Sequence, residues 1–199
     1  MFRVLFLDVE TTGPDNHKHF ITELAAIKLL RNYDKDYEHK KAFKASIKPP
    51  GYPDIEFTEV AEEKTGITHE MLADYHEEEE VLIKFINWLR GDRRNLSFSD
   101  RYTMVAYNAD FDFVMMKRMF KRHGLYSTFR ELFLPTPFDM LSYYHLIKEK
   151  YGYNSSMKLE DAAREMGIEF DDSKTHDALE DTKIMLRMFE KLEKENRLL

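Results

Sequence analysis

The sequence predicts an α/β layered domain: a mixed five-stranded sheet, an antiparallel meander continued by parallel strands, with helices on both faces. Three observations predict it. Three β-like segments come first, joined by polar or turn-prone connections. Apolar positions at helical spacing then alternate with two short strand candidates. No repeat, low-complexity block or Pro/Gly/Ser linker divides the 199 residues, so one domain over 1–199 is expected.

The meander reads as Arg3 to Asp8, Phe20 to Leu30 and Lys41 to Lys48, the last stopped by the "PPGYP" that follows. "TMVAYN" at 103–108 and the segment around Phe138 supply the remaining strands. Helices are predicted over Phe57 to Lys64, Val81 to Arg90, Phe111 to Arg122, Met140 to Lys150, Leu159 to Met166 and Ala178 to Lys194. The four glutamates at 77–80 precede Leu82, Phe85, Ile86 and Leu89 at helical spacing, as an acidic first turn favoured by the helix dipole.

Composition narrows the function. With 43 % hydrophobic residues the chain can build a core without staples, and the absence of cysteine excludes disulfides, thiolate zinc sites and a Cys nucleophile. The run Phe2 to Leu7 contains Arg3 and stops at Asp8, too short for a signal peptide or a membrane span; a cytoplasmic protein with no membrane partner is expected. A formal charge of −7 argues against a protein that coats duplexes, yet is compatible with an acidic site that binds cations and makes few phosphate contacts. Most aromatic residues, Trp88 included, read as core. The Asn-x-Ser matches at Asn95 and Asn154 read as chance.

Three stretches carry chemistry. In "LFLDVETTGPD", Asp8 and Glu10 stand two apart, so in a strand both carboxylates project from one face. Adjacent anions raise each other's pKa unless a cation sits between them, and a hard metal such as Mg²⁺ or Mn²⁺ takes oxygen ligands. "TTGP" offers a turn with backbone N–H groups for an anion. In "VAYNADFD", Asn108 starts a turn, and Asp110 and Asp112 fall in the first turn of the next helix. Either acid could cap that helix; Asp110 reads as the structural acid and Asp112 as a ligand. In "THDALEDT", Asp177 and Glu180 resemble a capping box that opens the last helix, leaving His176 on the loop and Asp181 inside the helix. His176 alone would read as a surface loop residue.

Together, "DVETTG", "YNADFD" and "HDALED" resemble the three exonuclease motifs of the DnaQ-like, DEDDh-type 3′→5′ exonucleases, which have a ribonuclease H-like fold. "KTGITHEML", "FDMLSYYHL" and "MKLEDAAREMGI" resemble the connecting segments, so the likeness runs from about Val4 to Leu186. The resemblance implies that Asp8, Glu10, Asp112 and Asp181 bind two Mg²⁺ or Mn²⁺ ions and that His176 is the general base. It also implies that Thr11, Thr12 and Asn108 approach the terminal nucleotide.

The activity implied is hydrolysis of a single-stranded 3′ end to nucleoside monophosphates, DNA ahead of RNA. The partner is then a single-stranded DNA or RNA 3′ end. A proofreading subunit acting with a DNA polymerase, or an inactive nucleic-acid-binding domain of the same fold, is the alternative. Only 18 residues follow Asp181 and they read as helix, so a stand-alone nuclease is the expectation. Oligomeric state is not legible. Two positions depart from the family pattern: Tyr107 stands where many relatives have histidine, and Pro14 where many have a bulky apolar residue. Lys117, Arg118, Lys121 and Arg122 are candidates to track the strand, with a solvated helix face the expectation for at least half of them.

Overall fold

The computed structural model describes residues 2–31, 37–91, 100–150, 152–153, 157–174 and 176–195; Asn95, Asn154 and Thr175 of the third motif lie outside these. Among the described residues, six strands form one sheet. They are β1 (Phe2–Thr11), β2 (Ile21–Arg31), β3 (Tyr37–Lys48), β4 (His76–Glu77), β5 (Thr103–Ala106) and β6 (Phe138–Asp139), in the order β4-β3-β2-β1-β5-β6. The pairs β1–β2 and β2–β3 are antiparallel, whereas β1–β5, β5–β6 and β3–β4 are parallel. The expected meander and its parallel continuation are both present. The sixth strand, β4, is two exposed residues at the sheet edge.

The helices are α1 (Glu59–Thr65), α2 (Glu78–Arg90), α3 (Ala109–Arg122), α4 (Tyr126–Leu132), α5 (Met140–Lys148), α6 (Leu159–Glu165) and α7 (Ala178–Lys194). Among the described residues none is long and apolar enough to cross a membrane.

Strand β1 is the spine because it is buried on both faces, which its run "VLFL" supplies. Alternation sends Leu5, Leu7 and Val9 into one core with Phe85 of α2, Met116 and Phe120 of α3 and Phe129 of α4. Val4 and Phe6 enter the opposite core with Tyr144 of α5, Ala162 of α6 and Met185 and Met188 of α7. Asp8 and Glu10 continue the even-numbered series of Val4 and Phe6, so they project from the face that α7 covers. Trp88 packs against the first core, as expected.

The acidic run opens α2 as expected, but Glu78 is buried and its carboxylate takes two bonds from Arg122, at Nε and Nη2, each 2.8 Å, and one from His123 Nε2, 2.8 Å. Arg118 donates to the carbonyls of Asn16, His17 and His19, pinning the loop after β1 to α3. Arg118 and Arg122 are therefore structural cations, held in place by carbonyls and by a buried acid.

Candidate active site

The loop after β1 is built from "TTG". The Thr12 N–H donates to the Phe20 carbonyl (2.9 Å), its hydroxyl accepts the Phe20 N–H (3.2 Å), and its carbonyl accepts the Thr58 N–H (2.9 Å). Thr12 is fully buried with every polar group engaged, so it shapes the floor of the site without facing it. Its N–H, and that of Asp15, which donates to His19 Nδ1 (2.9 Å), are engaged internally. Gly13 is required because a Cβ there would lie 2.6 Å from the His19 ring. Thr11, Gly13 and Pro14 do line a cavity of about 420 Å³, together with Asp8, Glu10, Asn108, Phe111, His176 and Asp181.

Asn108 adopts a left-handed conformation, φ 65°, which turns the chain from β5 into α3. The Asn108 side chain does not cap α3. Asp139 of β6 does so instead, accepting the N–H groups of Asn108 (2.9 Å) and Ala109 (3.1 Å), and it also caps α5 through Leu141 and Ser142. The acid that caps α3 is thus Asp139 of β6 and not the expected Asp110, which is exposed. Asp112 is buried, and its Oδ1 accepts the Val9 N–H at 3.2 Å, which holds α3 against β1 between Asp8 and Glu10.

Helix α7 begins as expected at Asp177, whose carboxylate accepts the N–H groups of Leu179 (3.0 Å) and Glu180 (3.1 Å). The reciprocal half of a capping box is missing: Glu180 reaches Lys183 and Arg187 instead. A second acid, Glu23 of β2, accepts the Ala178 N–H at 3.1 Å, and Lys44 bridges Glu23 (3.0 Å) and Asp177 (2.5 Å). His176 lies outside the helix at φ 65°, with Nε2 3.7 Å from Glu160 Oε1.

These elements bring Asp8, Glu10 and Asp181 together, with one carboxylate oxygen from each lying within 4.8 Å of the others. Burial, and after it the neighbouring acids, raises all three. Glu10 is pushed up to about 8 and Asp181 to about 7, and Asp8 stands well above the ordinary carboxylate range. Burial likewise raises Asp112, against the opposing effect of its backbone bonds. Asp181 Oδ1 is buried with no hydrogen-bond partner. Three crowded acids with an orphaned oxygen fit a hard divalent cation, which needs oxygen ligands and cancels the repulsion; Asp112, bonded to the Val9 N–H, stays outside that group.

A second cavity, about 300 Å³, adjoins the first and is lined by Asp8, Asp181, His176, Glu160, Lys64 and Tyr107 among others. Burial lowers the pKa of His176, and Lys64 lowers it further. The Tyr107 hydroxyl is buried without a partner, and its pKa is raised by burial. Lys64, Glu23 and Asp139 escape a sequence reading. Lys64 carries no signal beyond its place at the head of "KTGITHEML"; Glu23 is legible only once Glu10 is known to pair with it across β1 and β2.

A sequence model described as the exonuclease family RNase T matches residues 5–189. The DNA polymerase III PolC-type of Staphylococcus saprophyticus is 30 % identical over 188 residues, which cover 94 % of this chain and 11 % of that protein. The corresponding protein of Bacillus cereus is 36 % identical over 121 residues, 61 % of this chain and 7 % of that one. Among solved structures, E. coli Exonuclease I in complex with a dT13 oligonucleotide superposes with a TM-score of 0.74 at 19 % identity, over 97 % of this chain and 41 % of that chain. Exonuclease I of Methylocaldum szegediense gives 0.75 at 19 % identity, over 98 % and 41 %. The chain thus spans about a tenth of the length of these polymerases and about two fifths of the Exonuclease I chains. The structural likeness is one of fold, ribonuclease H-like.

Proposed function

This chain belongs to the RNase T family of exonucleases, and we propose that it removes nucleotides one at a time from the 3′ end of single-stranded nucleic acid, DNA ahead of RNA. The observation that carries this reading is the carboxylate cluster of Asp8, Glu10 and Asp181 at the floor of a cavity that His176 also lines. Asp8, Glu10, Asp181 and, from behind, Asp112 would hold two divalent cations, Mg²⁺ or Mn²⁺. Those cations, when bound, supply Lewis acidity at the terminal phosphodiester.

The chain's own groups do the rest. His176, kept neutral by burial, accepts the proton of the attacking water through a ring nitrogen. Thr11 and Asn108 border the terminal nucleotide, Thr12 fixes the loop that carries Thr11, and Pro14 supplies the apolar rim. Lys64 faces the same space and offers an ammonium to a phosphate oxygen. The whole of 1–199 acts as one domain, in the cytoplasm.

A second reading, a proofreading module working with a DNA polymerase, is favoured by one observation: the curated relatives are DNA polymerases of which a tenth is shared. The deciding experiment is cleavage of 5′-labelled single-stranded DNA and RNA of equal sequence, with Mg²⁺, with Mn²⁺ and with chelator, beside Asp8→Ala. A metal-dependent ladder shortening from the 3′ end, absent in the variant, is expected. No ladder on either strand from folded protein overturns the stand-alone enzyme.

A further inference from the structure

We infer that the groove between α3 and α4 is a second nucleic-acid surface, which holds the single strand 5′ of the nucleotide being removed; this rests on the exonuclease reading above. The groove has a volume of about 270 Å³ and is lined by Phe113, Lys117, Tyr126, Phe129, Arg130 and Arg101, among others. Helix α3 borders both the candidate site and the groove, on opposite flanks. Phe111 lines the site cavity and Phe113 the groove, and residues two apart on a helix point about 200° apart.

Two features select the occupant. The first is charge: Lys117 and Arg130 line the groove and no acid does, in a chain of net charge −7. Lys117 and Lys121 stand one turn apart, where like charges repel, and among the described residues neither forms an ion pair with an acid. Their neighbours Arg118 and Arg122 are spent on carbonyls and on Glu78, so helix α3 divides its four cations into two that hold the fold and two left for an external anion.

The second feature is the ring. Tyr126 is 37 % exposed and stacks at 16° on Phe129, and the ammonium groups of Lys121 and Lys117 lie 5.0 and 5.8 Å from its centroid. A basic track interleaved with an exposed aromatic face matches a single strand, whose phosphates take the lysines while a base takes the ring. An arriving phosphate draws the ammonium groups off the ring and leaves that face to the base. From Asp112 to Lys121 the helix rises about 13 Å. A strand therefore has to run several nucleotides past the site, and around the helix, before it meets the groove, so only longer strands reach it.

The test compares wild type with Lys117→Gln/Lys121→Gln and, separately, Tyr126→Ala, all at exposed or half-buried positions. Binding of 5′-fluorescein dT20 is followed by anisotropy in chelator, over a salt series, and hydrolysis of dT20 and dT3 is followed with Mg²⁺. The double variant is expected to weaken dT20 binding about tenfold and to reduce the salt slope by about 1.4, two single-strand contacts at ~0.7 each. Its loss of kcat/KM on dT20 should exceed that on dT3 about tenfold. Tyr126→Ala should weaken dT20 but not an abasic 20-mer. Affinity for dT20 within twofold of wild type in both variants overturns the inference, as does an equal loss on dT3 and dT20. Binding of an acidic peptide made of a run of aspartates and one phenylalanine, if lost in the double variant while dT20 binding persists, makes the groove a protein interface and also overturns it. Should wild type cleave neither substrate, the exonuclease reading falls, and the chelator titration still decides the groove.

Discussion

Asp181 Oδ1 is buried and unpartnered, and a carboxylate oxygen of Asp181 lies within 4.8 Å of carboxylate oxygens of Asp8 and Glu10, an arrangement that costs stability as long as no cation lies among the acids. The exchange makes a sharp prediction. Asp181→Asn removes one charge from the cluster, so in chelator its Tm should rise above that of wild type, while metal-dependent cleavage falls by at least a thousandfold. A variant less stable than wild type in chelator would show that the acid holds the fold. His176 acts differently, since it ligates nothing in this reading. His176→Ala should lower kcat by about 10²- to 10⁴-fold and leave the metal-induced rise in Tm intact. A base must be neutral to accept a proton, and burial holds this imidazole below its ordinary 6.5. Wild-type kcat should therefore climb with pH along a limb below 6.5, and the variant should lack that limb in a pH–rate profile.

At the level of elements, one carboxylate holds two helices. Asp139 receives the N–H groups of Asn108 and Ala109 ahead of α3, and of Leu141 and Ser142 in α5, so its loss uncaps both at once. Asp139→Ala should cost about 2–4 kcal/mol in a denaturation series, two caps at ~1–2 each. It should also raise KM, because Asn108 is freed from its left-handed turn; a KM unchanged in a folded variant would detach Asn108 from the substrate. How legible each element was follows from what defines it. Strand β1 announces itself through the continuous apolar run Val4 to Leu7, and its acids through the break at Asp8 and the two-residue spacing to Glu10. Helix α7 does so through an N-cap and a long apolar stripe. Helix α4 has seven residues, starts without a side-chain cap at Leu125, and is shorter than a periodicity window. Strand β4 is two exposed polar residues whose only strand character is pairing with Ile47 and Lys48. The role of Asp139 was hidden for a related reason: it depends on β6 lying parallel beside β5, a fact of the sheet and not of the segment.

For the whole molecule, the acids tie folding to pH and metal together. Glu10, near 8, and Asp181, near 7, titrate well above the values near 4 that carboxylates have in an unfolded chain. The folded state then binds more protons than the unfolded state between pH 4 and 8. Stability from these groups is fully present below about pH 4 and is lost as pH rises through 7 to 8, the reverse of an ordinary salt-bridged carboxylate. A divalent cation held by these acids would compete with those protons, binding weakly at low pH and strongly once the acids ionise. Thermal unfolding should show both effects. In chelator, the cluster should lower Tm from pH 5 to pH 8.5 in wild type more steeply than in Asp181→Asn. At pH 8.5, Mn²⁺ at a hundred times its dissociation constant should stabilise by about 2.7 kcal/mol, or roughly 5–10 °C for a chain of this size. At pH 5 the same concentration should do far less. A metal effect of equal size at both values would place the cation away from these acids. Full coincidence between the pH at which metal protection appears and the pH at which wild type and Asp181→Asn diverge would identify the cluster as the site where proton and cation exchange.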